Sequence, residues 1–545
     1  VTQTHPRTLP APQQQASWLR APAQAFSEAW LRRRLAGAPL PWGLRDWLLP
    51  LLAAVLGGLL RFHRLGEPGS LVFDETYYVK DAYSYLVSGY EREWPKDAND
   101  SFNAGNPDVL LGTPEYVVHP PVGKWMIAFG MWLFGADNAF GWRFGAALTG
   151  TLSILLVALI ARRLFRSAAL GGVAGLLTAV DGHHLVHSRT SLLDIFLMFW
   201  VLAAFGALLL DREDGRRRLA AKVAALAGPP GVPDRTAMLS GPWVLWRPWR
   251  LLAAVCLGLA VGTKWSALAF VAVFGLLAVL WDINARRVAG VRGWFAAGVL
   301  RDGVPAFFTM LPLAALTYLA TWTGWFLSTD AYHRQWAASE PGGLFGWVPA
   351  PLRSLAEYHR SAYAFHQGLD SEHPYESSPW SWLLIGRPTS FYYQGDAAGE
   401  HGCTVQGGCS AAVSVLGNPV IWWAAALALL VLLFHWIGRR DWRAGAVLSG
   451  VAAGYLPWFL YPERTMFYFY AIAFEPFLVL ALTYVLGLAA RGPADPPRCR
   501  RRGVLAAGLF LALALAAAAF FLPVWTAEQI PYDHWRWRMW MPSWI

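Results

Sequence analysis

Apolar runs of about twenty residues recur along this chain, and they constrain its fold more than any other feature. A bilayer core of about 30 Å is crossed by roughly 20 residues of helix, and backbone inside hydrocarbon has to satisfy its own hydrogen bonds. Eleven such runs are read at 46–62, 142–161, 168–186, 192–210, 249–263, 265–283, 304–326, 419–437, 444–461, 466–489 and 503–522. Composition agrees: 15% of the 545 residues are charged and 56% are hydrophobic, where a soluble chain carries about 25% charged residues. The expectation is an all-α integral membrane protein with about eleven transmembrane helices. The net charge of +10 does not imply nucleic acid, because the basic residues form short clusters between apolar runs.

Those clusters set the orientation, since cytoplasmic connections carry an excess of Lys and Arg. They lie at Arg32 to Arg34, Arg162/Arg163/Arg166, Arg212/Arg216/Arg217/Arg218, Arg286/Arg287/Arg292, Arg439/Arg440/Arg443 and Arg498/Arg500/Arg501/Arg502. With eleven spans they fall on alternate connections. Residues 1–45, rich in Pro, Gln and Ala, are then expected as a cytoplasmic tail with no cleavable signal, and residues 46–522 as the transmembrane domain. The opposite face receives two long loops, 63–141 and 327–418, and the tail 523–545. Both loops are too long for mere connectors, and their Trp, Tyr, Pro and His content predicts folded caps with surface helices. Cys403 and Cys409 share the second loop, and on an extracytoplasmic face they are a candidate disulfide.

Ionisable residues near a membrane are costly and by default functional. Here they concentrate on the outer face. The first loop opens with Phe73-Asp74-Glu75-Thr76-Tyr77-Tyr78. Adjacent carboxylates point in different directions, so one is free to accept a proton from a hydroxyl while the other fixes a partner or a cation. The same loop closes with His119-Pro120-Pro121-Val122-Gly123-Lys124, and Arg143 follows where the second span begins. A guanidinium there suits bidentate phosphate binding. The turn 181–194 holds Asp181, His183, His184, His187, Arg189 and Asp194. It invites a metal hypothesis, yet its spacing matches no recognised metal motif; an Arg189–Asp194 ion pair that shapes the site is the simpler expectation. Lys264 and Arg464 add cations to this face. Several cations beside spans suit a lipid-linked phosphate, and the carboxylates suit activation of an acceptor hydroxyl.

At these residues the chain resembles the protein O-mannosyltransferases, glycosyltransferase family 39 of the membrane-embedded GT-C class, in the shorter prokaryotic, actinobacterial form. The resemblance runs from about residue 45 onward. It rests on Asp74-Glu75, His119 to Lys124, Phe140-Gly141-Trp142-Arg143, His187-Ser188-Arg189 to Leu193-Asp194, His373-Pro374-Tyr375-Glu376-Ser377-Ser378-Pro379-Trp380 and Arg464-Thr465-Met466-Phe467-Tyr468-Phe469-Tyr470. It implies a GT-C fold, a polyprenyl-phosphate mannose donor, and inverting transfer to Ser or Thr of polypeptides during translocation. The site would lie on the extracytoplasmic face of the plasma membrane. It further implies Asp74 as general base, Glu75 beside it as the second catalytic carboxylate positioning the acceptor or sugar, and Arg143, Lys264, Lys124 and Arg464 around the donor phosphate. His119, Arg189, Asp194, His373 and Tyr375 would shape the site. No nucleotide is implied, because the donor is already activated; a divalent cation stays open as a cofactor, although no metal-ligand motif implies one. The alternatives are a GT-C transferase with another lipid-linked sugar or a lipid or glycan acceptor, and a transporter, which would place its charges near mid-membrane on broken helices.

Overall fold

The computed structural model describes residues 27–38, 41–228, 232–234, 236–340, 342–492 and 495–545. Most of the expected N-terminal tail, residues 1–26 with 39 and 40, lies outside the described residues; the Arg32 to Arg34 cluster sits on the helix Glu28–Ala36, capped by Ser27.

Among the described residues six helices are long and apolar enough to cross a membrane: Ala139–Phe165, Asp194–Leu226, Ala267–Val288, Trp294–Ala320, Pro419–Arg439 and Pro497–Trp525. Shorter apolar helices occupy Val122–Phe134, Ala168–Ala179, Pro248–Val261 and Glu475–Ala490. Each predicted run overlaps a helix, but several are interrupted for local reasons. The run 168–186 breaks because Asp181 accepts from the His183 and His184 amides and starts a separate helix, Gly182–His187. The run 466–489 opens as a 3-10 helix, Tyr468–Ala473, before the α-helix Glu475–Ala490 begins with Pro476 in its first turn, where a missing N–H costs nothing. The run 304–326 starts earlier, at Trp294, and passes through one π turn at Val299–Gly303.

Polarity is arranged inside out relative to a soluble protein. Leu505, Leu509 and Leu513 face outward on one long helix, and Phe307, Phe308 and Leu316 on another, whereas Arg61, Arg143, Arg162 and Arg286 are buried. Apolar bands of that extent belong in lipid.

The chain divides into two compact units. The smaller comprises the described residues up to 38 with Leu208–Arg250 and Ala278–Thr309. Its core gathers Leu31, Leu35, Leu219, Val223, Met238 and Val291, and two carboxylates, Asp211 and Asp282, are buried between Arg247 and Arg250. Arg286 pairs with Asp302, so part of the basic excess read from the sequence is internally neutralised.

The larger unit, Pro41–Ala207, Leu251–Leu277 and Met310–Ile545, holds all the candidate site residues. Its first loop folds into the helices Glu75–Ser88, Ala98–Asn103 and Val122–Phe134, and its second into the amphipathic helix Ala350–Gln367. The all-α expectation needs one correction. Besides a two-residue pairing of β1 (Ala227–Gly228) with β2 (Val232–Pro233), β3 (Thr389–Asp396), β4 (Cys409–Val415) and β5 (Ile530–Pro531) form an antiparallel sheet in the order β3–β4–β5. Aromatic residues at Phe391-Tyr392-Tyr393 and the β-branched Val413 and Val415 favour a pleated surface. Cys403 and Cys409 are joined by a disulfide across the hairpin turn.

Candidate active site

Asp74 is the N-cap of the helix Glu75–Ser88, but its side chain makes no capping hydrogen bond. Glu75 instead turns back to accept from the Val72 amide. The two carboxylates thus separate as adjacent residues should. Asp74 stays half-buried, one helical turn before Tyr78, whose hydroxyl hydrogen-bonds it. Burial pushes its carboxyl up to about 6, Lys264 opposes that shift, and Asp194 adds to it. A carboxylate with that affinity for a proton is suited to general-base work near neutral pH.

Phe73 holds this residue in place at a cost. Its φ of 47° is left-handed, a conformation bulky L-residues avoid. Its ring stacks on Phe391 at 4.6 Å and meets Phe469 edge-on at 5.5 Å. Local strain of this kind persists only where packing over-determines it, and it concentrates at functional sites.

Glu75 is fully buried and accepts from Arg143 Nε at 2.8 Å and Nη2 at 2.7 Å, and from the Ser191 amide at 2.8 Å. Arg143 donates further to the carbonyls of Pro68 and Ser70, with a longer contact to Leu65. All of its nitrogens are engaged. Where the sequence led to the expectation of a phosphate, the guanidinium is engaged by Glu75 and loop carbonyls, and it ties the approach to Asp74 onto the helix Ala139–Phe165. Glu75, expected beside the substrate, is its counter-ion. Lys124 is engaged by protein groups likewise. Its buried ammonium bonds Glu91 at 2.7 Å, Asp81 at 3.4 Å and the His119 carbonyl at 2.9 Å, which uses its three donors.

Two cations remain, of which Lys264 acts electrostatically on Asp74. Lys264 pairs with Asp194 at 2.7 Å and lies over the Tyr470 ring. Arg464 lies over the same ring and over Trp458, and its Nη1 has no hydrogen-bond partner among the described residues. The expected Arg189–Asp194 pair does not form, because Arg189 donates to the carbonyls of Leu60, Arg61, His63 and Arg64. It closes the C-terminal end of the helix Leu44–Phe62, where four carbonyls lack intrahelical donors. His119 packs against Tyr78 and His366; burial, and then the charge of Lys264, holds its imidazole well below the usual range. His373 sits edge-on to Phe467 at 4.9 Å and within ring contact of Phe73, while Tyr375 lies under Arg387. Of the turn 181–194, His184 bonds Arg61 and Ser153 and His183 bonds Glu475. Sequence reasoning missed Tyr78, Tyr470 and Phe391. The first was legible as the i+4 partner of Asp74 on a helix; Tyr470 lies in the motif that begins at Arg464, but its meeting with Lys264, like that of Phe391 with Phe73, comes from the tertiary fold.

The fold and this site define a class first: a multi-pass membrane protein with the GT-C glycosyltransferase fold. It superposes on a chain of the S. cerevisiae protein O-mannosyltransferase complex bound to the sugar donor with a TM-score of 0.67, covering 95% of this chain and 94% of that one at 16% identity, a likeness of fold alone. Residues 51–228 match the family model for dolichyl-phosphate-mannose-protein mannosyltransferase, and residues 351–544 that for the C-terminal four-transmembrane region of protein-O-mannosyltransferase. The polyprenol-phosphate-mannose–protein mannosyltransferase of Mycobacterium tuberculosis is 38% identical over 510 residues, 92% of each chain. Its counterpart in Corynebacterium glutamicum is 33% identical over 516 residues, 92% of this chain and 94% of that one. The chain belongs to the protein O-mannosyltransferase family.

Proposed function

We propose that this protein transfers mannose from polyprenyl-phosphate mannose to Ser and Thr hydroxyls of polypeptides, with Asp74 as general base. The observation that carries the assignment is the Asp74 carboxylate, which does not cap its helix, is paired with no arginine among the described residues (Arg143 pairs with Glu75 instead), and has had its proton affinity raised by burial. The acceptor oxygen attacks C1 of the mannosyl group and the new C1–O bond forms. The bond from C1 to the phosphate oxygen breaks, its electron pair leaves on the polyprenyl phosphate, and Asp74 takes the hydroxyl proton. A single displacement of this kind inverts the anomeric centre. Lys264 and Arg464 supply charge to the leaving phosphate, while Arg143 and Lys124 hold the first loop in shape. His119, kept neutral, and His373 with Tyr375 border the space above Asp74. The site faces the extracytoplasmic side of the plasma membrane, opposite the arginine clusters, with the N-terminus cytoplasmic and eleven spans between.

Radiolabelled polyprenyl-phosphate mannose incubated with the purified protein and a Ser/Thr-containing peptide is expected to label the peptide. No transfer by folded protein, with transfer from a different lipid-linked sugar or to a lipid or glycan acceptor, would replace this reading with the alternative one. Lys264→Ala is expected to weaken donor binding by roughly tenfold to a hundredfold, the worth of a charge-assisted hydrogen bond. Binding of the polyprenyl-phosphate donor to that variant, measured by titration, checks it; an unchanged Kd removes Lys264 from the phosphate site.

A further inference from the structure

The strand β3 is an edge. The sheet order is β3–β4–β5, and among the described residues no strand pairs with the other side of β3. An edge strand presents alternate N–H and C=O groups outward, and proteins that leave such an edge unused blunt it with Lys or Pro, very short strands or a covering segment. Eight residues long, β3 runs Thr-Ser-Phe-Tyr-Tyr-Gln-Gly-Asp from Thr389 to Asp396 and contains no Lys, Arg or Pro. Its outer part is open, with Tyr393 and Gly395 exposed, and its inner part is closed, with Phe391 5% exposed.

The inner part leads to the candidate base. The β3–β4 register shifts between Ser390 and Tyr392, which leaves Phe391 as a bulged residue, and bulges beside active sites re-aim a side chain. The Phe391 ring is stacked on Phe73, the residue before Asp74, at 4.6 Å and an interplanar angle of 16°. The unpaired edge of β3 therefore runs from an exposed outer end to a buried inner end, where Phe391 packs on the residue before Asp74.

We propose that the acceptor polypeptide binds in extended form as an added strand on the free edge of β3, held by main-chain hydrogen bonds that carry a Ser or Thr hydroxyl to Asp74. This rests on the transfer reading above and names how the same site takes its second substrate. Strand addition draws its affinity from the backbone and leaves specificity to alternate side chains. Acceptors of unrelated sequence then share one docking mode, and an unbroken folded helix is refused. Successive side chains of a strand point to opposite faces, so hydroxyls two residues apart are presented alike and a neighbouring one is turned away.

The test uses the full-length protein in detergent, polyprenyl-phosphate mannose, and a series of one short peptide with a single Ser, N-methylated at one backbone position at a time. Each N-methyl group removes one N–H. The expected result is a period of two: kcat/KM falls about tenfold at alternate positions, as loss of one hydrogen bond and the added clash imply, and is nearly unchanged between them, while donor Kd is constant throughout. Uniform tolerance, or loss only at the residues flanking the Ser without alternation, overturns strand addition and leaves the transfer reading standing. An unmethylated peptide that accepts no mannose overturns the transfer reading, and the docking mode with it.

Discussion

Asp74→Asn is expected to reduce turnover by about 10²- to 10⁴-fold, the usual contribution of a positioned general base, while the protein stays folded and binds donor as before. The amide is nearly isosteric, keeps an oxygen for the Tyr78 hydroxyl, and removes no capping bond, since the Asp74 side chain makes none. Only proton acceptance is lost. The wild type carries a linked pH signature. Burial raises the Asp74 carboxyl to about 6, so the fraction in the basic form falls as pH drops through that value. The plot of log kcat/KM against pH is therefore expected to rise below about pH 6 and level off above it. Near-normal turnover in the variant, or a flat profile between pH 5 and 7, would remove Asp74 from the chemistry.

Arg143→Ala and Glu75→Gln are each expected to destabilise the protein by about 3–5 kcal/mol, the usual cost of stranding one partner of a buried ion pair. Both side chains are fully buried, and the pair is bidentate with distances of 2.8 and 2.7 Å. The losses should not add, because the double variant strands no charge. Thermal unfolding in detergent for the two single variants and the double one measures this. The outcome separates the two roles open to this arginine. If Arg143→Ala unfolds like the wild type and only its donor Kd rises, the guanidinium serves the phosphate after all. Loss of stability with parallel changes in Glu75→Gln assigns it to the brace beneath Asp74.

How legible the site was depends on the range of the interactions that build it. The Asp74-Glu75 pair was readable because a short polar motif follows an apolar run, and the division of labour between adjacent carboxylates needs only local geometry. The roles of the cations were not readable. Arg143, Lys124, Arg189, Lys264 and Arg464 look alike in sequence, each a basic residue near the end of an apolar segment. The difference between them lies in what comes from elsewhere in the chain: Glu75 for Arg143, Glu91 and Asp81 for Lys124, the carbonyl end of a helix for Arg189, and Asp194 for Lys264. A buried cation with all its donors engaged is structural, and one with donors left over is available. That distinction depends on three-dimensional neighbours, which spacing does not encode.

The sequence by itself determined the solvent and the secondary structure of most of the chain. Long apolar runs leave the backbone one way to cross hydrocarbon, as helix, since no water is present to satisfy unpaired N–H and C=O groups. It also determined on which stretches the polar chemistry lies. The tertiary structure alone decided which of those polar groups meet. It set Asp74 apart from Glu75's ion pair, put Phe391 on a bulge against Phe73, and built an open-edged sheet from segments about 120 residues apart, ending in β5 at Ile530–Pro531. The physical reason is that hydrophobic partition acts on each segment independently, whereas a hydrogen bond or ion pair exists only once two segments have been brought within about 3 Å of each other.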